Sequence, residues 1–251
     1  MELFSWQVFC VAVPAVIFAG VSKAGFGSGA AFASATILAL VLEPGAALGV
    51  MLPLLMLIDA GSLPAYWRRW AWPEARVLLL GSLPGTLLGA WFYAGADPDA
   101  IRLLIGAISV GFVTWQLAQK VGLAGLTARR FGTVAGGLAG AGLGFTSFIS
   151  HAGGPVAAVF LLGRGLDKTR YQATTVLVFW AVNLLKAGLY GAMGVFTLQT
   201  FAFDLALAPF ALLGTWLGVR AHRAVPERAF FALTYVLLAV TGGKLILDAV
   251  T

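Results

Sequence analysis

A chain of 251 residues that is 60% hydrophobic and only 10% charged, with a mean hydropathy of +0.94, carries more apolar surface than a soluble domain needs. Soluble enzymes and soluble binding modules are therefore excluded, and the formal charge of +6 reports on membrane sidedness rather than on nucleic acid. One cysteine, Cys10, rules out an internal disulfide, and with only His151 and His222 beside it neither a conventional zinc site nor another cofactor is expected.

The predicted elements are ten apolar runs broken by charge or by Gly and Pro, at roughly 3–21, 27–42, 45–65, 75–94, 100–118, 131–149, 154–163, 171–192, 201–219 and 228–248. Most approach the span of about 20 residues that a bilayer needs, but the second run of each half is too short. The first run is not read as a cleavable signal, because Glu2 stands where a basic segment belongs and Lys23 follows the apolar stretch. The fold class expected is an all-α polytopic membrane protein. Its DNA- or RNA-binding potential is nil, since the arginines of Trp67-Arg68-Arg69-Trp70-Ala71-Trp72 read as an interfacial belt.

The halves resemble each other. Ser22-Lys23-Ala24-Gly25 aligns with Ser150-His151-Ala152-Gly153, Asp59-Ala60-Gly61 with Lys186-Ala187-Gly188, and Gly85-Thr86-Leu87-Leu88-Gly89 with Gly214-Thr215-Trp216-Leu217-Gly218, at offsets of 128, 127 and 129. This predicts a repeat at 1–118, a cytoplasmic linker at 119–130 and a second repeat at 131–251, joined in one membrane domain. Most basic residues, from Arg68 and Arg69 to Arg220, Arg223 and Arg228, fall in four connections, whereas Glu2, Glu43, Asp97, Asp99, Asp204 and Asp248 mark the opposite side. With basic loops cytoplasmic, five segments per half give two repeats of inverted topology. The first two segments of each form a broken or re-entrant helical hairpin. Gly136, Gly140 and Gly144, Gly85 and Gly89, and Gly214 and Gly218 stand four apart and are assigned to close helix packing.

Paired breaks in inverted repeats point to a transport site. The expected substrate contacts are Ser22, Lys23, Gly25, Gly27, Ser28 and Gly29 in the first half and Ser147, Ser150, His151, Gly153 and Gly154 in the second, with Pro155 opening the next helix. A lysine, a histidine able to carry a proton, hydroxyls and half-helix N-termini favour small anions. The competing readings are a snorkelling Lys23 and a core His151 bonded to a carbonyl. Asp59 and Lys186, with Asn183 one turn before Lys186, form a second group, read as an ion pair across the pseudo-two-fold axis that is either structural or a coupling element.

Four stretches carry a family resemblance over nearly the whole chain: Gly25-Phe26-Gly27-Ser28-Gly29-Ala30, Glu43-Pro44-Gly45-Ala46-Ala47, Gly142-Leu143-Gly144, and His151-Ala152-Gly153-Gly154-Pro155. With them the chain resembles the TauE/SafE family of sulfite-exporter-like permeases. The resemblance implies a carrier of the cell's inner (plasma) membrane that exports sulfite, sulfoacetate or another organosulfonate by alternating access coupled to the proton gradient. Partners expected are the anion, protons, the bilayer and, as an option, a second copy in a homodimer. A passive anion channel is the alternative. An intramembrane hydrolase is disfavoured, because Ser150 and His151 are adjacent in sequence and point apart on a helix, and Ser147 has no evident orienting acid.

Overall fold

A computed structural model describes residues 3–26, 30–121, 132–224 and 227–251, with side chains outside 223–231. Residues 122–131, which hold most of the expected linker, lie outside the described residues. The described residues form α-helices with no strand: α1 (Trp6–Val21), continued by a π-helical turn (Ser22–Phe26), α2 (Phe32–Leu38), α3 (Pro44–Tyr66), α4 (Trp72–Gly95), α5 (Pro98–Lys120), α6 (Thr133–Ser150), α7 (Gly153–Gly163), α8 (Lys168–Ala192), α9 (Leu198–Ala224) and α10 (Glu227–Val250). Each predicted run corresponds to one helix. Eight spans are long and apolar enough to cross a membrane, and α2 and α7 are the short elements.

Helix starts follow from local chemistry. Glu43 and Asp97 cap α3 and α5, each followed by proline at the first helical position, and Asp167 caps α8 by accepting from the amides of Thr169 and Arg170 at 3.0 Å. Part of the acidic pattern used to assign sides thus has a second cause, the orphan amides of helix N-termini.

Packing is reciprocal. Helix α1 lies against α9, α6 against α4, α5 against α10, and α3 against α8. The glycines set these distances. A methyl group at Gly20 would sit 2.7 Å from the Gly214 backbone, and one at Gly144 would sit 2.8 Å from Thr86 N. A methyl at Gly214 would meet the Ile17 carbonyl at 2.5 Å, and one at Gly85 would collide with the Ala141 carbonyl. Small residues are what allow such approach between helices in lipid, where apolar burial gives no net drive to associate. The outward faces carry exposed Leu80, Leu87, Leu88 and Trp91 on α4, Leu205, Leu212 and Trp216 on α9, and Val236, Val240 and Leu247 on α10, a belt suited to acyl chains.

One stability prediction follows here. Gly85→Ala is expected to lower detergent-state stability by about 1–3 kcal/mol through overpacking, because its neighbour is backbone that cannot rotate away. Gly111→Ala, where nothing stands within 4 Å, should leave stability unchanged or raise it. Thermal melts of the two purified variants check the contrast.

Candidate functional site

At the first hairpin the helix does not stop but widens into the π turn Ser22–Phe26, and such turns release carbonyls from the regular ladder. Three consecutive carbonyls here are bound by side chains from three other helices. Gln172 donates to Lys23 O at 2.6 Å, Tyr66 to Ala24 O at 2.7 Å, and the His222 ring bonds Gly25 O at 2.7 Å. At the second hairpin α6 ends at His151, whose φ of 55° and ψ of 14° place it in the left-handed region. Histidine is tolerated there more often than most residues, though at a cost that surrounding bonds must offset. Lys186 donates to Ser147 O at 2.6 Å and Tyr190 to Phe148 O at 2.5 Å.

These caps correspond. Ala24 and Phe148 stand 124 positions apart, as do Tyr66 and Tyr190, and the close contacts of Ile17 and Gly20 with α9 match those of Ala141 and Gly144 with α4 at the same spacing. The sequence offsets of 128 and 127 in the hairpins and in α3 and α8 differ from this contact spacing by about one helical turn. A slip of one turn leaves every residue on the same helix face, so pattern matching cannot detect it. In α4 and α9 the contacts agree with the 129 offset, Gly85 and Thr86 corresponding to Gly214 and Thr215.

The charged core differs from expectation at one point. Asp59 and Lys186 do not pair directly. Asp59 is fully buried and forms its ion pair with Lys23, itself 3% exposed, while its second oxygen accepts from Asn183 Nδ2 at 3.0 Å. Lys186 lies one turn beyond Asn183 on α8, reaches the other way, and contacts His151 Nδ1 at 2.6 Å as well as Ser147 O and Oγ. Three acceptors around Lys186 match the three protons of an ammonium. With Lys186 protonated, its ammonium can only donate, so His151 Nδ1 accepts and Nε2 is left to donate to Leu48 O at 3.2 Å, the bonding of a neutral imidazole. Each lysine also stands near an aromatic ring, Lys23 5.4 Å from the Phe179 centroid and Lys186 5.8 Å from that of Tyr190.

The result is a buried polar file, Lys23 to Asp59 to Asn183 on one side and Lys186 to His151 and Ser147 on the other, running between the two hairpins through α3 and α8. Helix side chains thus link the two hairpins, which also meet in the apolar core, where Phe32 and Ala33 share a cluster with Ala152. Lys23 is held by a counter-ion and does not snorkel.

The remaining expected site residues are placed as follows. Ser22 is buried within the π turn. Gly25 lies against Gly218, whose carbonyl would be 2.6 Å from an added methyl, and Gly153 lies against Leu143 O at 2.8 Å, so both face protein backbone. Ser150 Oγ donates to Thr146 O at 3.0 Å, and Gly154 is buried at the start of α7. Gly27, Ser28 and Gly29 lie outside the described residues. Sequence reasoning missed Gln172, Tyr66, Tyr190 and His222. The one available signal was a polar group standing alone in an apolar helix, which names no partner. A cavity of about 440 Å³ opens beside the second break, between α5 and the α6–α7 hairpin, with Phe112, Trp115, Thr146, Ala152 and Phe160 on its wall.

Comparison with known proteins places this arrangement. The chain is similar to the "Probable inner membrane transporter protein TsaS" of Comamonas testosteroni, with 28% identity over 178 residues that cover 70% of this chain and 72% of the relative. No solved structure matches. The profile of the family described as "Sulfite exporter TauE/SafE" matches residues 12–245, from α1 through to α10 and across both hairpins. The chain belongs to the TauE/SafE family and is a multi-pass transporter of the inner membrane.

Proposed function

We propose that this transporter carries a small anion through the buried file, and that sulfur-containing anions, sulfite or an organosulfonate, are its substrates. One observation carries the reading. The file brings two lysines, one carboxylate and an imidazole together, so that with both lysines protonated and the imidazole neutral it holds one positive charge more than Asp59 balances. A buried charge is strongly unfavourable unless compensated, and a small monovalent anion completes the balance. The family's name and its coverage of both hairpins support the sulfur-containing class.

In this reading Asp59 is a tethered stand-in for the substrate. In the empty carrier its carboxylate occupies Lys23, and an arriving anion competes for that ammonium while Ser147 and His151 help hold it from the other hairpin. The halves 1–118 and 131–251 act as inverted repeats. Support comes from the 124-residue correspondence of the caps, the reciprocal packing of α1 on α9 and α6 on α4, and the meeting of Asp59 with Asn183. By the 124 spacing these two are equivalent positions, and equivalent positions touch only at a two-fold axis. Alternating access is rocking of the halves about this point, and the proton gradient drives export.

The test is counterflow of labelled sulfite in proteoliposomes. Wild type should show saturable counterflow, and Lys23→Ala should lose it while keeping its fold by detergent melt. A passive channel would show flux without counterflow. If wild type exchanges neither sulfite nor any sulfonate or carboxylate offered, the anion reading falls.

A further inference from the structure

One buried charge-bearing group has no part in that scheme. Asp204, in the second turn of α9, is 6% exposed, and neither carboxylate oxygen has a hydrogen-bond donor among the described residues. Its neighbours on the helix, Phe203, Leu207 and Ala211, belong to the main apolar core, where α9 packs against α1 and α3. The charged groups on those elements are Lys23 at the far end of α1 and Glu43 and Asp59 at and in α3, and none bonds Asp204. On α9 itself Arg220, His222 and Arg223 lie more than four turns further along, and Met1 with its amino group and Glu2, before α1, are outside the described residues. An ionised carboxylate so enclosed, with neither donor nor counter-ion among the described residues, is strongly unfavourable, and in membranes such groups mark ion pathways.

We propose that Asp204 takes up the coupling cation, a proton or an alkali ion, and that this site is separate from the anion file. The proposal rests on the carrier reading for its role in transport, but not for the existence of the cation site. Placement favours coupling through one rigid element. Gly218, about 21 Å further along α9 at 1.5 Å per residue, packs against Gly25 of the π turn, next to the peptide units that carry Lys23. A cation arriving at Asp204 and an anion arriving at Lys23 therefore bias the same helix. When Asp204 is occupied its charge is cancelled and α9 can move within the apolar core; when it is empty, an uncompensated charge resists that motion.

Two measurements on the full chain test this. In detergent, the melting temperature of wild type should shift when sodium replaces choline if the cation is an alkali ion, or shift with pH in choline buffer if it is a proton. Asp204→Asn, which has nearly the shape of the occupied carboxyl, should lose that response, and Asp204→Glu should keep part of it. Identical responses in wild type and Asp204→Asn would overturn the proposal whatever the substrate is. In proteoliposomes, Asp204→Asn should retain sulfite counterflow, which needs no net cation movement, but lose gradient-driven accumulation by about tenfold or more. Accumulation at the wild-type level overturns the coupling role. Absence of counterflow in wild type would instead count against the anion reading, and the melting experiment would still decide the cation site. Should Asp204→Asn fail to fold, Asp204→Glu carries the test: a folded Glu variant with no cation response also overturns it.

Discussion

Asp59→Asn is expected to abolish anion counterflow and to destabilise the protein by about 3–5 kcal/mol, the usual cost of breaking one side of a buried ion pair. Asparagine fills the same space and can still accept from Asn183, so the loss is electrostatic: Lys23 and Lys186 then share one enclosed region with no carboxylate between them. The decisive comparison is the double variant Lys23→Met with Asp59→Leu. It removes both charges together and should regain most of the stability, since apolar replacements of whole buried pairs are often neutral or better. It should not regain transport, because the cation that meets the anion is gone. Melting temperatures and counterflow on the three proteins separate the roles. A double variant that transports would show that the pair holds helices together and does nothing else, and an Asp59→Asn protein as stable as wild type would show that Lys23 has another counter-charge.

Lys186→Met is expected to weaken anion binding by about tenfold to a hundredfold, the range set by one charge-assisted hydrogen bond, with a much smaller effect on folding. The replacement keeps the length of the side chain but removes the ammonium that binds Ser147 O, Ser147 Oγ and His151 Nδ1. Two opposing terms bear on stability. The Ser147 carbonyl loses one of its two donors, keeping the His151 amide at 3.0 Å, and the cost of burying a second ammonium near Lys23 disappears. They offset in part, so the fold survives while the file drops to zero net charge. Lys186→Arg should also fail, because a planar guanidinium does not fit a pocket built for a compact three-donor head. Substrate protection of the melting temperature reads the effect directly: wild type should be stabilised by sulfite, and both variants should not. Equal protection in Lys186→Met would remove Lys186 from the site.

What the sequence made legible was decided by the kind of signal each feature leaves. Helices were readable because apolar runs ended by Gly, Pro or charge are local, and the four-residue spacing of Gly136, Gly140 and Gly144 foretold the close crossing of α6 on α4. The hairpin breaks were readable from Gly153, Gly154 and Pro155. The partner of Asp59 was not. Lys23 is 36 positions away and Lys186 is 127, and both oppose it in charge, so composition offers no reason to prefer one. Matching the halves at an offset of 127 placed Asp59 opposite Lys186, whereas the structure sets Asn183, 124 positions away, against it. The caps were hidden for a related reason. Gln172 serves a carbonyl 149 positions back in the chain, and backbone acceptors have no sequence identity. The sequence could locate the polar groups but not the orphan carbonyls created when α1 widens into its π turn.

The two hairpins are built alike but stand differently. Helix α2 rests against α10, whereas the corresponding place beside α7, next to α5, is taken by the cavity at the second break. The first hairpin leaves α1 through the π turn Ser22–Phe26, and the second turns at a left-handed histidine. Under the proposed carrier reading, two similar parts held in unlike poses are a lever caught at one end of its throw, and exchanging their poses describes the other end.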